Sequence, residues 1–314
     1  PAPLFPVAHP LNPILLPDSS LIGMLYVTNL FRLTAGGEIL WKNTAYEIHH
    51  SLNLAPDGNF WTCAWGYGFT EHEEAGLKTG FKDDLILKIE VETGKVLFQK
   101  SIAEILIENG YPNLLHGNSS DKGTLGEEPF HLNDVQPVLE DGPYWKKGDL
   151  FLSLRNISTI VLYRPSTGKI LRLIFGPLLA QHDVDILSDT LISIFNNNRV
   201  PEFFSLDSLS KKLPKQPMLQ LKSSHIAIYN FADSSWQYPS RMTFEREHIY
   251  TPWQGLHEFL SNGDLFVEST DQGKIFILQG EEVIFRQYPN PITLDSLTEY
   301  PHWVRIYENL DYLK

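Results

Sequence analysis

Cysteine is almost missing from this sequence: Cys63 stands alone among 314 residues. One thiol closes no disulfide within the chain and builds no thiolate zinc cage, so disulfide-stapled scaffolds and Cys-rich metal modules are excluded. Basic residues are also in short supply, 25 Lys plus Arg against 38 Asp plus Glu, for a net charge of −13. Such a field repels phosphate backbones and anionic headgroups, and no nucleic acid partner is expected. No apolar run approaches the roughly 20 residues of a membrane-crossing helix, so no membrane insertion is expected either. Hydrophobic residues at 42% and charged ones at 20% make a globular balance that excludes disorder as the main state.

Helical periodicity is scarce as well. Short runs of β-branched and aromatic residues, parted by Gly, Asp, Asn and Pro, fill the chain instead, which is the pattern of strands and turns and predicts an all-β fold. The best helix signal is Ser101 to Asn109 (SIAEILIEN), where Ser101 and Glu104 have the spacing of a capping box.

One module recurs along the chain: an entry residue, a short strand, an Asp or Asn turn, and a second strand. Copies begin at His50, His182, Gly255 and His302, with turns at Asp57, Asp189, Asn262 and Asn309; another begins at His131, with its turn at Asp141. Hairpins such as IEVETGKVLF and YRPSTGKILRLI follow, each with a Gly where two strands reverse and a positive φ is needed. A repeating four-stranded unit of about 45 residues is a β-propeller blade. Counted this way the chain holds five blades. In the last of them, strands near Leu25 to Trp41 join the His302 module, so that strands from both termini close the ring. Residues 1–21 read as a Pro-rich N-terminal extension and 22–314 as the propeller domain.

Equivalent strand starts of a propeller converge on its central channel, so His50, His131, His182 and His302 are expected to face one another. Arg155, in SLRNIS after the strand DLFLSL, adds a permanent charge and a planar fork of donors. Imidazoles beside such a cation describe a pocket for a compact oxyanion. Hydrogen-bonded structural histidines and a surface arginine paired with an acid are the competing reading. Trp65, Tyr67 and Phe69 in CAWGYGFTEHEEAG offer aromatic surface at the channel mouth, although blade packing is the commoner role of such residues. His72 in HEE lacks the second His of a zinc helix.

Four separated segments, EIHHSLNLAPDGNFW, EPFHLNDVQPV, GDLFLSLRNISTIVLYRPSTGKILRLIFG and QHDVDILSDTLISIFNNN, resemble in order the core of the arylsulfate sulfotransferases that do not use the nucleotide sulfate donor. The resemblance spans about residues 45 to 290. It implies a six-bladed propeller with the active site in its channel, and a periplasmic or secreted location. It also implies a ping-pong transfer from an aryl sulfate to a phenol through a sulfohistidine, with no metal or diffusible cofactor. Carried over by motif, the nucleophile is His182 in QHD, with Asp183 or a backbone carbonyl fixing its free nitrogen. His131 in FHLND, Arg155 in SLRNIS and His50 in HHS are the ligands of the sulfuryl oxygens. His49 is the alternative to His50, and His49, His302, Asn133, Trp65 and Tyr67 complete the substrate-binding candidates. The chain departs from the family pattern in having no second Cys for a disulfide near the site, Ser51 where Asp is usual, and Gly255 at an entry position without an imidazole. Two other functions would use the same constellation: a propeller that only binds an anionic ligand, and a hydrolase or lyase acting through the His cluster.

Overall fold

The computed structural model describes residues 11–25, 29–72, 77–116, 128–199, 223–288 and 303–308. These form five four-stranded antiparallel sheets, the blades of a β-propeller. The first blade comprises β1 (Leu11–Leu15), β2 (Leu21–Leu25), β3 (Asn29–Leu33) and β4 (Ile39–Asn43). The second holds β5 (Glu47–Leu54), β6 (Phe60–His72), β7 (Leu77–Ile89) and β8 (Val96–Ser101). In the third lie β9 (Leu132–Pro137), β10 (Leu150–Leu154), β11 (Thr159–Arg164) and β12 (Lys169–Phe175). The fourth is built of β13 (His182–Ile186), β14 (Leu191–Asn196), β15 (His225–Asn230) and β16 (Trp236–Gln237). The fifth contains β17 (Leu256–Phe259), β18 (Leu265–Ser269), β19 (Lys274–Gln279) and β20 (Glu282–Gln287). Among the described residues the number is five, as counted from the repeats, where the resemblance implied six.

Every strand pairs with its neighbour in sequence, so apart from the long connection between β14 and β15 the blades form from local hairpins and pay little loop-closure entropy. Gly94 and Gly168 turn β7 into β8 and β11 into β12 at φ +70° and +68°, values that cost a glycine nothing. The core is divided among the interfaces between consecutive blades. Met24 and Leu30 meet Leu52 and Phe60 in one cluster, while Phe195 and Ile226 meet Val267 and Phe276 in another. Inner strands are covered on both faces: all five residues of β10 are buried, which explains its unbroken LFLSL. Each leucine-sized side chain so buried contributes about 1.5–3 kcal/mol.

Helix α1 (Ile102–Glu108) forms where the capping box predicted it, and Ser101 Oγ accepts the N–H of Glu104 at 3.0 Å. Its Ile102, Ile105 and Leu106 pack into the cluster between the second and third blades. A second short helix, α2 (Arg241–Arg246), gave no periodic signal. It is held by the buried Phe244 and by Thr243 Oγ1, which donates to the carbonyl of Glu281 at 2.6 Å.

Ring closure differs from the expectation. All four strands of the first blade come from residues 11–43, so β1 lies inside the segment expected to be an extension and already fills the inner edge of its sheet. Residues 303–308 therefore find no ladder to join and run beside β1 without strand structure. The N–H of Asn12 donates to the carbonyl of Trp303 at 3.0 Å, and that of Leu15 to Tyr307 Oη at 2.7 Å. From the fifth blade, the Glu268 carboxylate accepts the N–H groups of Trp303 and Val304 at 2.9 and 2.8 Å. The two ends of the ring are thus joined through a non-strand clasp. The innermost strands and this clasp enclose a cavity of about 300 Å³, lined by Asn12, Asn53, Asp134, Asp185, His257 and Arg305 among others. Among the described residues no helix is long and apolar enough to cross a membrane.

Candidate active site

Three imidazoles from three blades meet on or just before the innermost strands. His50 on β5 lies with its ring centroid 4.9 Å from that of His131, before β9, and 5.9 Å from that of His182, the first residue of β13. One ring nitrogen of each lies within 4.8 Å of those of the other two. Local backbone irregularity aims them. His50 and His131 are left-handed, at φ 59° and 52°, and His182 precedes Asp183 at φ 47°. Strand registers shift at His49/Leu52 and at His182/Val184, bulges that turn a side chain out of the alternation of the sheet. Backbone in this region costs roughly 1–3 kcal/mol per residue, strain that gathers at functional sites. His182 is thus one position out of the repeat register, which in its blade falls on Asp183. Gly255 supplies no imidazole for a steric reason: at φ 146°, a Cβ there would lie 2.4 Å from the ring of Phe195.

Each imidazole is held from behind. Nδ1 of His182 is 2.7 Å from Asn197 Oδ1. The Asn197 amide nitrogen donates to the carbonyls of Thr251 and Gln254 at 2.6 and 2.7 Å, so its oxygen must face the ring and accept the Nδ1 proton. Nε2 then carries the lone pair, and it is buried with no protein partner. Burial, and next the charge of Arg155, hold His182 well below the ordinary imidazole range, so it is neutral at neutral pH. Asp183, expected to fix this tautomer, does not do so. Its Oδ2 accepts instead from the backbone N–H and Nδ1 of His257 at 2.7 and 2.6 Å, because the bulge turns it toward the fifth blade.

His131 Nδ1 lies 2.9 Å from Glu128 Oε2, and Trp65 Nε1 donates to the other carboxylate oxygen at 2.7 Å. Burial opposes the ionisation of Glu128, but the hydrogen bonds from His131 and Trp65 and the nearby imidazole charge outweigh it and pull the carboxyl down to about 2. His50 Nδ1 is 2.6 Å from His49 Nδ1. His49 itself sits behind, fully buried, against Trp65 at 4.6 Å and with Nε2 3.6 Å from Asp84. Burial, with the charge of His131 second, holds His49 down to about 3.

Arg155 occupies a 3-10 turn directly after β10, and its backbone N–H donates to the carbonyl of His131 at 3.1 Å. Its guanidinium is buried. Nη1 and Nη2 donate to Asn156 Oδ1 and the Pro252 carbonyl at 3.0 and 3.2 Å, whereas Nε has no protein acceptor. Desolvation, and next the charge of Arg199, bring it down to about 10, still a cation at neutral pH.

The remaining sequence candidates fall behind this group or outside it. Asn133 is buried and donates to the Gln181 carbonyl at 2.8 Å, tying β9 to the residue before His182. Trp65 orients Glu128. The side chains of Tyr67 and Phe69, and all of His302, lie outside the described residues. Sequence reasoning missed three participants. Trp303 packs edge-on to His50 at 5.4 Å and lies 6.2 Å from His182. Arg199 stacks on Trp253, its guanidinium 3.1 Å from the ring centroid, with Arg155 5.4 Å from the same ring. Asn197 was visible only as part of the run NNN, which carries no partner information.

A family model described as Arylsulfotransferase (ASST) matches residues 21–288 of the chain. No curated protein matches it. Among solved structures, virginiamycin B lyase from Staphylococcus aureus is similar over 90% of this chain and 71% of its own, with TM-score 0.48 and 12% identity. A protein of unknown function from Bacteroides caccae is similar over 85% and 77%, with TM-score 0.49 and 13% identity.

Proposed function

Because the chain belongs to the arylsulfotransferase (ASST) family, we propose that it moves a sulfuryl group from an aryl sulfate to a phenol in two steps, with His182 as the nucleophile. The observation that carries this reading is the buried, unpartnered Nε2 of His182, with its lone pair directed by Asn197 toward His50 and His131. A neutral imidazole held in one tautomer attacks sulfur without first losing a proton.

In the first step the His182 Nε2–S bond forms, the S–O bond to the aryl group breaks, and the phenolate leaves with a proton from His131. Negative charge on the sulfuryl oxygens is met by Arg155, whose Nε has no protein acceptor, and by a donor on His50. Glu128, ionised beside His131, stabilises the protonated imidazole that this step requires. In the second step an acceptor phenol returns its proton to His131, its oxygen attacks sulfur, and the N–S bond breaks. Atoms and charge balance over the cycle. The residues present supply the nucleophile, the proton carrier and the anion donors.

The test is rapid mixing with a chromogenic aryl sulfate in the absence of phenol, followed by intact-protein and peptide mass analysis. One sulfuryl group on His182 and a stoichiometric burst of phenolate are expected, both lost in His182→Asn. Turnover in the presence of phenol with no adduct on any residue would favour direct transfer and remove His182 from this role.

A further inference from the structure

The same three histidines have a second chemical capacity. Each has Nδ1 engaged by a neighbour on its outer side: His131 by the Glu128 carboxylate at 2.9 Å, His182 by the Asn197 amide at 2.7 Å, and His50 by His49 at 2.6 Å. Metal-binding imidazoles are oriented in this way, with the outer N–H held by an acceptor so that the inner nitrogen presents its lone pair. When His50 Nδ1 donates to His49, all three Nε2 atoms are available as ligands, and that of His182 is fully buried without a partner. Three imidazoles with no carboxylate among them suit a borderline divalent ion such as Zn²⁺ or Co²⁺ and leave a fourth position open, whereas Mg²⁺ and Ca²⁺ call for oxygen ligands.

We propose that His50, His131 and His182 form a divalent transition-metal site, and that a bound ion blocks the proposed nucleophile. The metal is an inhibitor in this scheme and takes no part in transfer. Arg155, buried and joined through its backbone N–H to the carbonyl of His131 at 3.1 Å, brings a permanent cation to this cluster, and its charge opposes a dication. Binding is therefore reversible and weaker than in a dedicated structural zinc site. A proton on any inner nitrogen leaves as the metal enters.

Binding is independent of the sulfotransferase reading; only the inhibition rests on it. Chelator-treated protein is titrated with Co²⁺ and followed by visible absorption. The expected result is one equivalent bound with the intense bands of a tetrahedral nitrogen-ligated ion, displaced by Zn²⁺ and absent from His182→Asn. Glu128→Gln, which keeps all three ligands and alters only the outer partner of His131, should weaken binding by about 10- to 100-fold. Arg155→Gln, which also keeps them, should tighten it. These two variants retain a test if His182→Asn fails to fold. Absence of the tetrahedral spectrum, or a spectrum unchanged in His182→Asn, overturns the site. With an aryl sulfate and a phenol, Zn²⁺ should inhibit in competition with the aryl sulfate and be reversed by chelator; full activity at saturating Zn²⁺ overturns the blockade. Metal binding in a protein with no transferase activity when metal-free would refute the proposed function and leave the site standing.

Discussion

Nδ1 of His182 and Oδ1 of Asn197 lie 2.7 Å apart, and this one hydrogen bond determines which face of the imidazole is reactive. The Asn197 amide cannot flip without losing its hydrogen bonds to the carbonyls of Thr251 and Gln254, so the tautomer of His182 is set by carbonyls in the segment that leads into the fifth blade. Replacing Asn197 by Ala removes the acceptor and frees the ring. Adduct formation should slow by roughly 10- to 100-fold, the scale of lost positioning, with the sulfuryl group still found on His182. Stopped-flow bursts with peptide mapping check this; an unchanged burst rate would show that Asn197 does not position the ring.

Arg155 offers a buried Nε without a protein acceptor as well as its charge. Arg155→Lys keeps the charge but loses the planar fork, so transfer should fall by about tenfold or more, on the order of one lost donor to the developing oxyanion. Steady-state kcat measured in both proteins decides it, and equal values would mean that charge alone matters.

Trp303 is 4% exposed and closes the ring between Glu268 and β1. Truncation to Ala leaves a cavity beside His50 and His182 and should cost about 3–5 kcal/mol. Urea unfolding should show a lower midpoint with an unchanged slope. A shift under 1 kcal/mol, by contrast, would mean that the clasp contributes little to holding the ring.

Acid sensitivity has an assignable contributor away from the site. His225 on β15 is buried, its Nε2 accepting from Asn196 at 3.1 Å, and burial holds it down to about 4 from the ordinary 6.5. Between these values the unfolded chain takes a proton that the folded chain refuses, so stability is lost as pH falls from 6.5 toward 4. His225→Gln keeps an acceptor for Asn196 but does not titrate. Compared at pH 7.5 and 4.5, the parent should lose roughly 2 kcal/mol more than the variant. Parallel losses would remove His225 as the cause.

Blade count, hairpin turns and α1 were legible because each depends on residues close in sequence. A Gly at a reversal, a Ser three residues before a Glu, and an unbroken apolar strand act through local backbone geometry and hold whatever the rest of the chain does. The motifs around His50, His131, Arg155 and His182 could be listed for the same reason, since each is a run of residues adjacent in sequence. Which neighbour holds each of them was not legible. Asn197 is 15 residues from His182, but its own anchors are 54 and 57 residues further on. Asp183 stands next to His182 and serves His257, 74 residues away. Trp303 reaches His50 only because β1 fills the first blade and leaves residues 303–308 to wedge between the first and fifth blades. Local patterns therefore set the blades and the residue types brought to their inner ends. Tautomer, orientation and ring closure were decided by tertiary structure, because they depend on contacts between blades whose alignment no local pattern encodes.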